Sequence, residues 1–165
     1  MEKETYIRKA DSKDLPRIAE IQVFNYRLYF YPIFKMDEYF FHELSVPALM
    51  KEYAAGLDSL YVYDDGAVKG FIRIEGTYIA RLFVEPVLQN ALIGSRLLEY
   101  AVREHNADHL WVLEKNVKAI RFYERHGFIV TGEKKTEDGT SECLVLLKRT
   151  QPGKPGMAGG PNGLI

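Results

Sequence analysis

The sequence predicts a single mixed α/β domain, and three observations carry that prediction. Short β-patterned segments alternate with amphipathic helical stripes, Gly- and Pro-bearing turn signals separate them, and the length suits one core. At 165 residues the chain can bury such a core without disulfide or metal staples. Hydrophobic residues at 47% and charged residues at 27% exclude a wholly disordered chain. Lys+Arg of 22 against Asp+Glu of 23 leaves a formal charge of -1. Nucleic acid is therefore not an expected partner, since phosphate neutralisation needs a basic surplus. The single cysteine, Cys143, excludes an intramolecular disulfide framework and fits a reducing compartment. No apolar run approaches the roughly 18 residues of a membrane span, and Met1-Glu2-Lys3-Glu4-Thr5 lacks the apolar stretch of a signal peptide. The expectation is a soluble, cytoplasmic protein with no membrane partner.

Taken in order, Tyr6-Ile7-Arg8-Lys9 reads as a strand. Asp11, Ser12 and Asp14 supply helix caps before Leu15, Ile18 and Ala19 begin a helical stripe. Ten aromatic residues crowd positions 24–53. Two helices, at about 12–30 and 37–55, fit this stretch, with a break at Tyr31-Pro32 and a stop at Gly56. Leu60-Tyr61-Val62-Tyr63 and 68–74 are strand-like and are joined by Asp65-Gly66, a tight-hairpin signal. Another strand covers about 78–85, closed by Pro86. Ile93, Leu97, Leu98, Ala101 and Val102 form a helical stripe, 109–114 a strand, and Asn116 caps a helix that Gly127 ends. Segments 128–131 and 143–147 are the last strands, with a turn at Asp138-Gly139. The order is β-α-α-β-β-β-α-β-α-β-β. Residues 151–165 hold five Gly and three Pro, a composition that builds no core. They form either a tail without function or an arm on a partner subunit.

No phosphate-loop or nucleophile-elbow motif is present. His42-Glu43 begins like a zinc-protease helix, but Val46 stands where the second His belongs. His105 and His109 are separated by a helix-breaking Asn106-Ala107-Asp108. No metal site is expected. Two elements remain. At Gln89-Asn90-Ala91-Leu92-Ile93-Gly94-Ser95-Arg96 a strand gives way to a helix whose first amides and dipole suit a phosphate. At Asn116, Ala119, Phe122 and Tyr123 a capped short helix puts small and aromatic residues on one face. Alone, each also fits an ordinary strand-to-helix turn or a core tyrosine.

Together the two elements resemble the GNAT N-acetyltransferase superfamily, over about residues 5–149. The family's Q/R-x-x-G-x-G/A acetyl-CoA loop is matched by Gln89 through Gly94, and its Asn…Ala…Phe-Tyr…Gly-Phe helix by Asn116, Ala119, Phe122-Tyr123 and Gly127-Phe128. One departure stands out: Leu92 occupies the position of the first glycine. Leucine there must turn its side chain away or crowd the pyrophosphate, so Leu92→Gly is expected to tighten CoA binding. The resemblance implies a GNAT-like domain at 1–150 followed by the tail. Its sheet is mixed and mostly antiparallel, with about seven strands, about four helices and two central parallel strands that splay apart.

The resemblance also implies transfer of acetyl from acetyl-CoA, as co-substrate, to a primary amine by direct attack in a ternary complex. The cofactor-binding residues it points to are Phe83, Val84, Gln89, Asn90, Ala91, Leu92, Ile93, Gly94, Ser95, Asn116, Ala119 and Tyr123. Phe83 and Val84 are expected to pair with the pantetheine arm through their backbone, and the loop amides to hold the pyrophosphate. Tyr123 matches the position of the acid that protonates the leaving thiolate. The base is expected to be Glu75 or Glu114, each ending a strand. Tyr26, Arg27, Tyr29, Tyr39 and His42 could line an acceptor pocket or simply pack the helices. Glu133, Glu137, Asp138 and Glu142 form either an acidic rim for a cationic acceptor or a solvated turn. A non-catalytic acyl-CoA-binding sensor on the same fold, and a transferase of another acyl group, stay open. So do the acceptor, a small-molecule or peptide amine, and the oligomeric state, for which apolar helix surface favours a homodimer.

Overall fold

The computed structural model describes residues 5–89 and 91–150; the Gly- and Pro-rich segment at 151–165 lies outside them. Seven strands form one sheet in the order β1-β2-β3-β4-β5-β7-β6. They are β1 (Ile7–Lys9), β2 (Leu60–Asp64), β3 (Val68–Glu75), β4 (Tyr78–Val84), β5 (His109–Leu113), β6 (Phe128–Thr136) and β7 (Cys143–Arg149). Every neighbouring pair is antiparallel except β4 and β5. The α-helices are α1 (Leu15–Asn25), α2 (Tyr31–Phe34), α3 (Val46–Ala54), α4 (Ile93–His105) and α5 (Val117–Arg125).

Alternation along the strands divides the core in two. On one face, Ile72, Ile74, Ile79, Leu110 and Val112 meet Leu97, Leu98 and Ala101 of α4 and Tyr123 of α5. On the other, Leu60, Val62 and Phe71 meet Ile18 and Ile21 of α1, Phe40, and Tyr53 of α3. Arg8 ties the first elements together, gripping Asp14 through both Nη atoms (2.8 and 2.9 Å) and Asp64 at 2.9 Å. This pairing, together with the Asp11 backbone amide (2.9 Å), holds the Asp14 carboxyl below its usual range.

The aromatic stretch departs from expectation at three places. The first helix does not break at Tyr31-Pro32. Residues Tyr26–Phe30 form a π-turn in which the Tyr31 amide donates to the Tyr26 carbonyl, and α2 continues through Pro32. The wider turn sets aside the i−4 register in which proline clashes. The chain reverses instead at Lys35, in the left-handed region with φ 53°. A second π-turn spans Tyr39–Glu43, closed by Leu44 N–H on the Tyr39 carbonyl (2.7 Å). The expected helix at 37–55 is therefore split, because the Ser45 hydroxyl caps α3 by accepting from Ala48 N–H. Elsewhere β6 runs past its expected end at residue 131 to Thr136, carried through a register shift at Gly132, φ 87°.

Candidate active site

Strands β4 and β5 meet at a single register pair, Tyr78 with His109, and then diverge toward Val84 and Leu113. Each keeps a full antiparallel partner on its other side, β3 for β4 and β7 for β5. The facing edges thus leave main-chain donors and acceptors unpaired, which suits an extended ligand. Two cavities open on this gap, of about 510 and 200 Å³. Phe30, Leu82, Phe83, Asn116, Ala119 and Tyr123 line both. The gap therefore joins two chambers, with Tyr123 at the junction.

The smaller chamber lies beside the start of α4. Leu92 precedes that helix at φ 66° in the left-handed region, the conformation for which glycine is the usual residue. Its side chain is turned out and 63% exposed. Arg96 is the first α4 residue whose amide has a helical acceptor, the Leu92 carbonyl at 3.0 Å; those of Ile93, Gly94 and Ser95 precede the ladder. At Gly94 a Cβ would sit 3.5 Å from the Phe122 ring, an ordinary van der Waals contact. Ala91 N–H is already satisfied by the Leu88 carbonyl (3.0 Å), and Asn90 lies outside the described residues. Arg96 reaches back to the Tyr63 hydroxyl (2.9 Å).

Strand β4 presents a different pair of residues to the gap than expected. Glu85 N–H donates to the Lys69 carbonyl (2.8 Å), so the trans peptide turns the Val84 carbonyl the opposite way. There it accepts from Asn25 Nδ2 at 2.9 Å. Alternation then directs the Val84 amide and the Leu82 main chain to the gap, and the Phe83 main chain to β3. Phe83 contributes its ring, packed against Tyr26, Phe30 and Phe71. Gln89 is held from both sides: its Nε2 donates to Asn25 Oδ1 (2.9 Å) and its Oε1 accepts from Lys118 (3.2 Å). Asn25, buried and also bonded to the Ile21 carbonyl, links α1, β4 and the loop before α4. It stands seven residues after Ile18 on the apolar stripe of α1, and a polar residue at such a position was the available signal.

On the β5 side, Asn116 Oδ1 accepts from Ala119 N–H (3.2 Å) and caps α5. Tyr123 is buried between Phe122 and Phe128. Its hydroxyl has no hydrogen-bond partner among the described residues, and burial pushes its pKa well above the ordinary value. It stays protonated throughout the neutral range.

The larger chamber is walled by Tyr26 and Tyr39, which open the two π-turns, with Phe34 and Met36, and by Glu137 and Asp138 after β6. Several expected residues lie elsewhere. Glu75 sits opposite Tyr78 at the closed end of the gap, paired with Arg73 (3.1 Å). Glu114 pairs with Lys134 on β6 (2.6 Å), and neither carboxylate lines a chamber. Arg27 donates to the Phe40 carbonyl (3.1 Å) and lies over the Phe41 ring. Tyr29 lines the smaller chamber under Lys118. His42 and Glu133 are exposed, and Glu142 pairs with Lys115 (2.9 Å).

The splayed parallel pair thus lies between the start of α4 and a chamber lined by side chains. The model of the acetyltransferase (GNAT) domain matches residues 20–143. The chain is 31% identical over 123 residues to the peptidyl-lysine N-acetyltransferase YiaC of Escherichia coli K12, covering 74% of this chain and 82% of that protein. Its fold is similar to the solution structure of apo YjaB from E. coli, with TM-score 0.64 and 22% identity over 87% of this chain and 96% of that one. It also resembles the PaiA N-acetyltransferase of Thermoplasma acidophilum in complex with coenzyme A, with TM-score 0.62 and 21% identity over 87% and 98%. The chain belongs to the GNAT acetyltransferase family and is an acetyl-CoA-dependent N-acetyltransferase. No described helix is long and apolar enough to cross a membrane.

Proposed function

We propose that this enzyme transfers acetyl to a primary amine by direct attack, with the thioester in the smaller chamber and the acceptor in the larger. The observation that carries this reading is the pair of chambers meeting at Tyr123. The α4 amides of Ile93, Gly94 and Ser95 hold the pyrophosphate, and Leu92, with its side chain turned out, leaves them accessible. Leu82 and Val84 pair with the pantetheine arm as an added strand, and Asn116 and Ala119 form the opposite wall. The acceptor ammonium loses one proton, its nitrogen bonds to the acetyl carbon and gives up a second proton to solvent, and the carbon–sulfur bond breaks. The Tyr123 hydroxyl donates its proton to the departing sulfur and regains one from solvent.

A primary amine with a pKa near 10.4 is mostly protonated at neutral pH, so a proton acceptor is required. Glu137 lines the larger chamber and forms no ion pair within the described chain. It attracts the ammonium form and receives the proton directly or through water. Calorimetry with acetyl-CoA, followed by thiol detection over a panel of amines, tests the assignment. Micromolar binding with amine-dependent CoA release is the expected result. Binding without release toward any amine would favour a sensor instead.

A further inference from the structure

We infer that the acceptor is a small amino-carboxylate, an amino acid or a close analogue, whose carboxylate is received by Arg81. This rests on the larger chamber being the acceptor site. Arg81 lies on β4, two residues before Phe83, so it faces the same side of the sheet about 7 Å further into the gap. It lines the larger chamber and is more than half buried. Its Nη1 donates to the carbonyl of the adjacent Ala80 (2.8 Å), and its Nε is buried with no partner. It forms no ion pair among the described residues. Two other arginines on this side of the sheet are ion-paired: Arg17 with Glu85 (2.6 Å) and Arg73 with Glu75 (3.1 Å).

A guanidinium withdrawn from water without a counter-ion is costly unless an anion completes it. The phenols of Tyr26, Tyr53 and Tyr78 and the Glu52 carboxylate act on it through space, none of them in ion-pair contact. Arginine presents a planar fork that matches a carboxylate. The same chamber holds Glu137 and Asp138 at its β6 wall. Lys135, the other cation there, lies over the Trp111 ring at 4.5 Å and is exposed. Opposite charges lining one chamber suit a zwitterion, with the ammonium toward Glu137 and the carboxylate toward Arg81. A lysine within a peptide brings no such carboxylate.

The test compares amines matched except for the carboxylate: lysine with cadaverine, phenylalanine with phenethylamine, and Nα-acetyl-lysine methylamide as the peptide mimic. The expected result is a kcat/KM for the amino acid at least ~10-fold above that of its decarboxylated partner. Arg81→Gln is expected to bring that ratio to about one, mainly through KM. Equal rates within a pair in the native enzyme, or a preference for the peptide mimic, would overturn the inference and leave the transferase assignment standing. If no amine is turned over, calorimetry with N-acetylated amino acids decides. Binding to the native chain that is lost in Arg81→Gln supports the carboxylate site, whereas no binding overturns it.

Discussion

On the side of the β4–β5 gap proposed for the donor, the groups offered to a ligand belong to the main chain: the first amides of α4 and the free edge of β4. On the acceptor side they are side chains, drawn from the two π-turns, from β4 and from the turn after β6. The difference follows from what each side must recognise. A phosphate-bearing donor needs many weak donors in fixed positions, and a helix start supplies them whatever its side chains. An acceptor is distinguished by its own charges, which only side chains can match. Substitutions on the donor side should therefore act through shape, and those on the acceptor side through charge.

Ala119 borders both chambers, so Ala119→Leu should break both functions. It is expected to lower turnover at least 100-fold and to weaken acetyl-CoA binding at least tenfold, read by thiol release and calorimetry. Unchanged binding would separate the smaller chamber from the donor site. Asn25→Ala leaves the Val84 carbonyl and the Gln89 amide without partners. Its cost is expected at about 2–3 kcal/mol in denaturant unfolding, with weaker acetyl-CoA binding. Glu137→Gln is expected to lower kcat and raise the acceptor KM about tenfold while the acetyl-CoA Kd moves less than twofold; equal effects on both substrates' binding would end the division of the two sides. The smallest effect belongs to Leu92→Gly. It removes a left-handed leucine, costly by about 1–2 kcal/mol, but adds chain entropy, so the net gain in thermal unfolding should stay below about 1 kcal/mol. Because the side chain already points out, CoA affinity should improve less than threefold, a smaller gain than the residue type alone suggests.

The same contrast explains what could be read from the sequence. The order of elements along the chain, the cap at Asn116 and the loop before α4 depend on local chemistry and are visible in residue type and spacing. The π-turns are not, because their registers are selected by how Tyr26, Phe30, Tyr39 and Phe40 pack on the sheet. Pro32 reads as a break for the same reason: nothing nearby in sequence announces the wider turn that tolerates it. Glu75 ends β3 and Glu114 directly follows β5, but spacing along a strand does not say which end of the sheet splays. The closed end received Glu75, and β6 received Glu114. Arg81 carries no signal in the sequence, because an arginine on a strand has meaning only once its missing counter-ion is known.

The central proposal is that Tyr123, which lines both chambers, protonates the leaving thiolate, and Tyr123→Phe tests it most directly. The substitution keeps the packing against Phe122 and Phe128 and removes only one oxygen. Single-turnover acetyl transfer and acetyl-CoA calorimetry on the same preparation should show a rate lowered about 100-fold or more with the Kd within threefold. A near-native rate would contradict the claim and remove this hydroxyl from the chemistry.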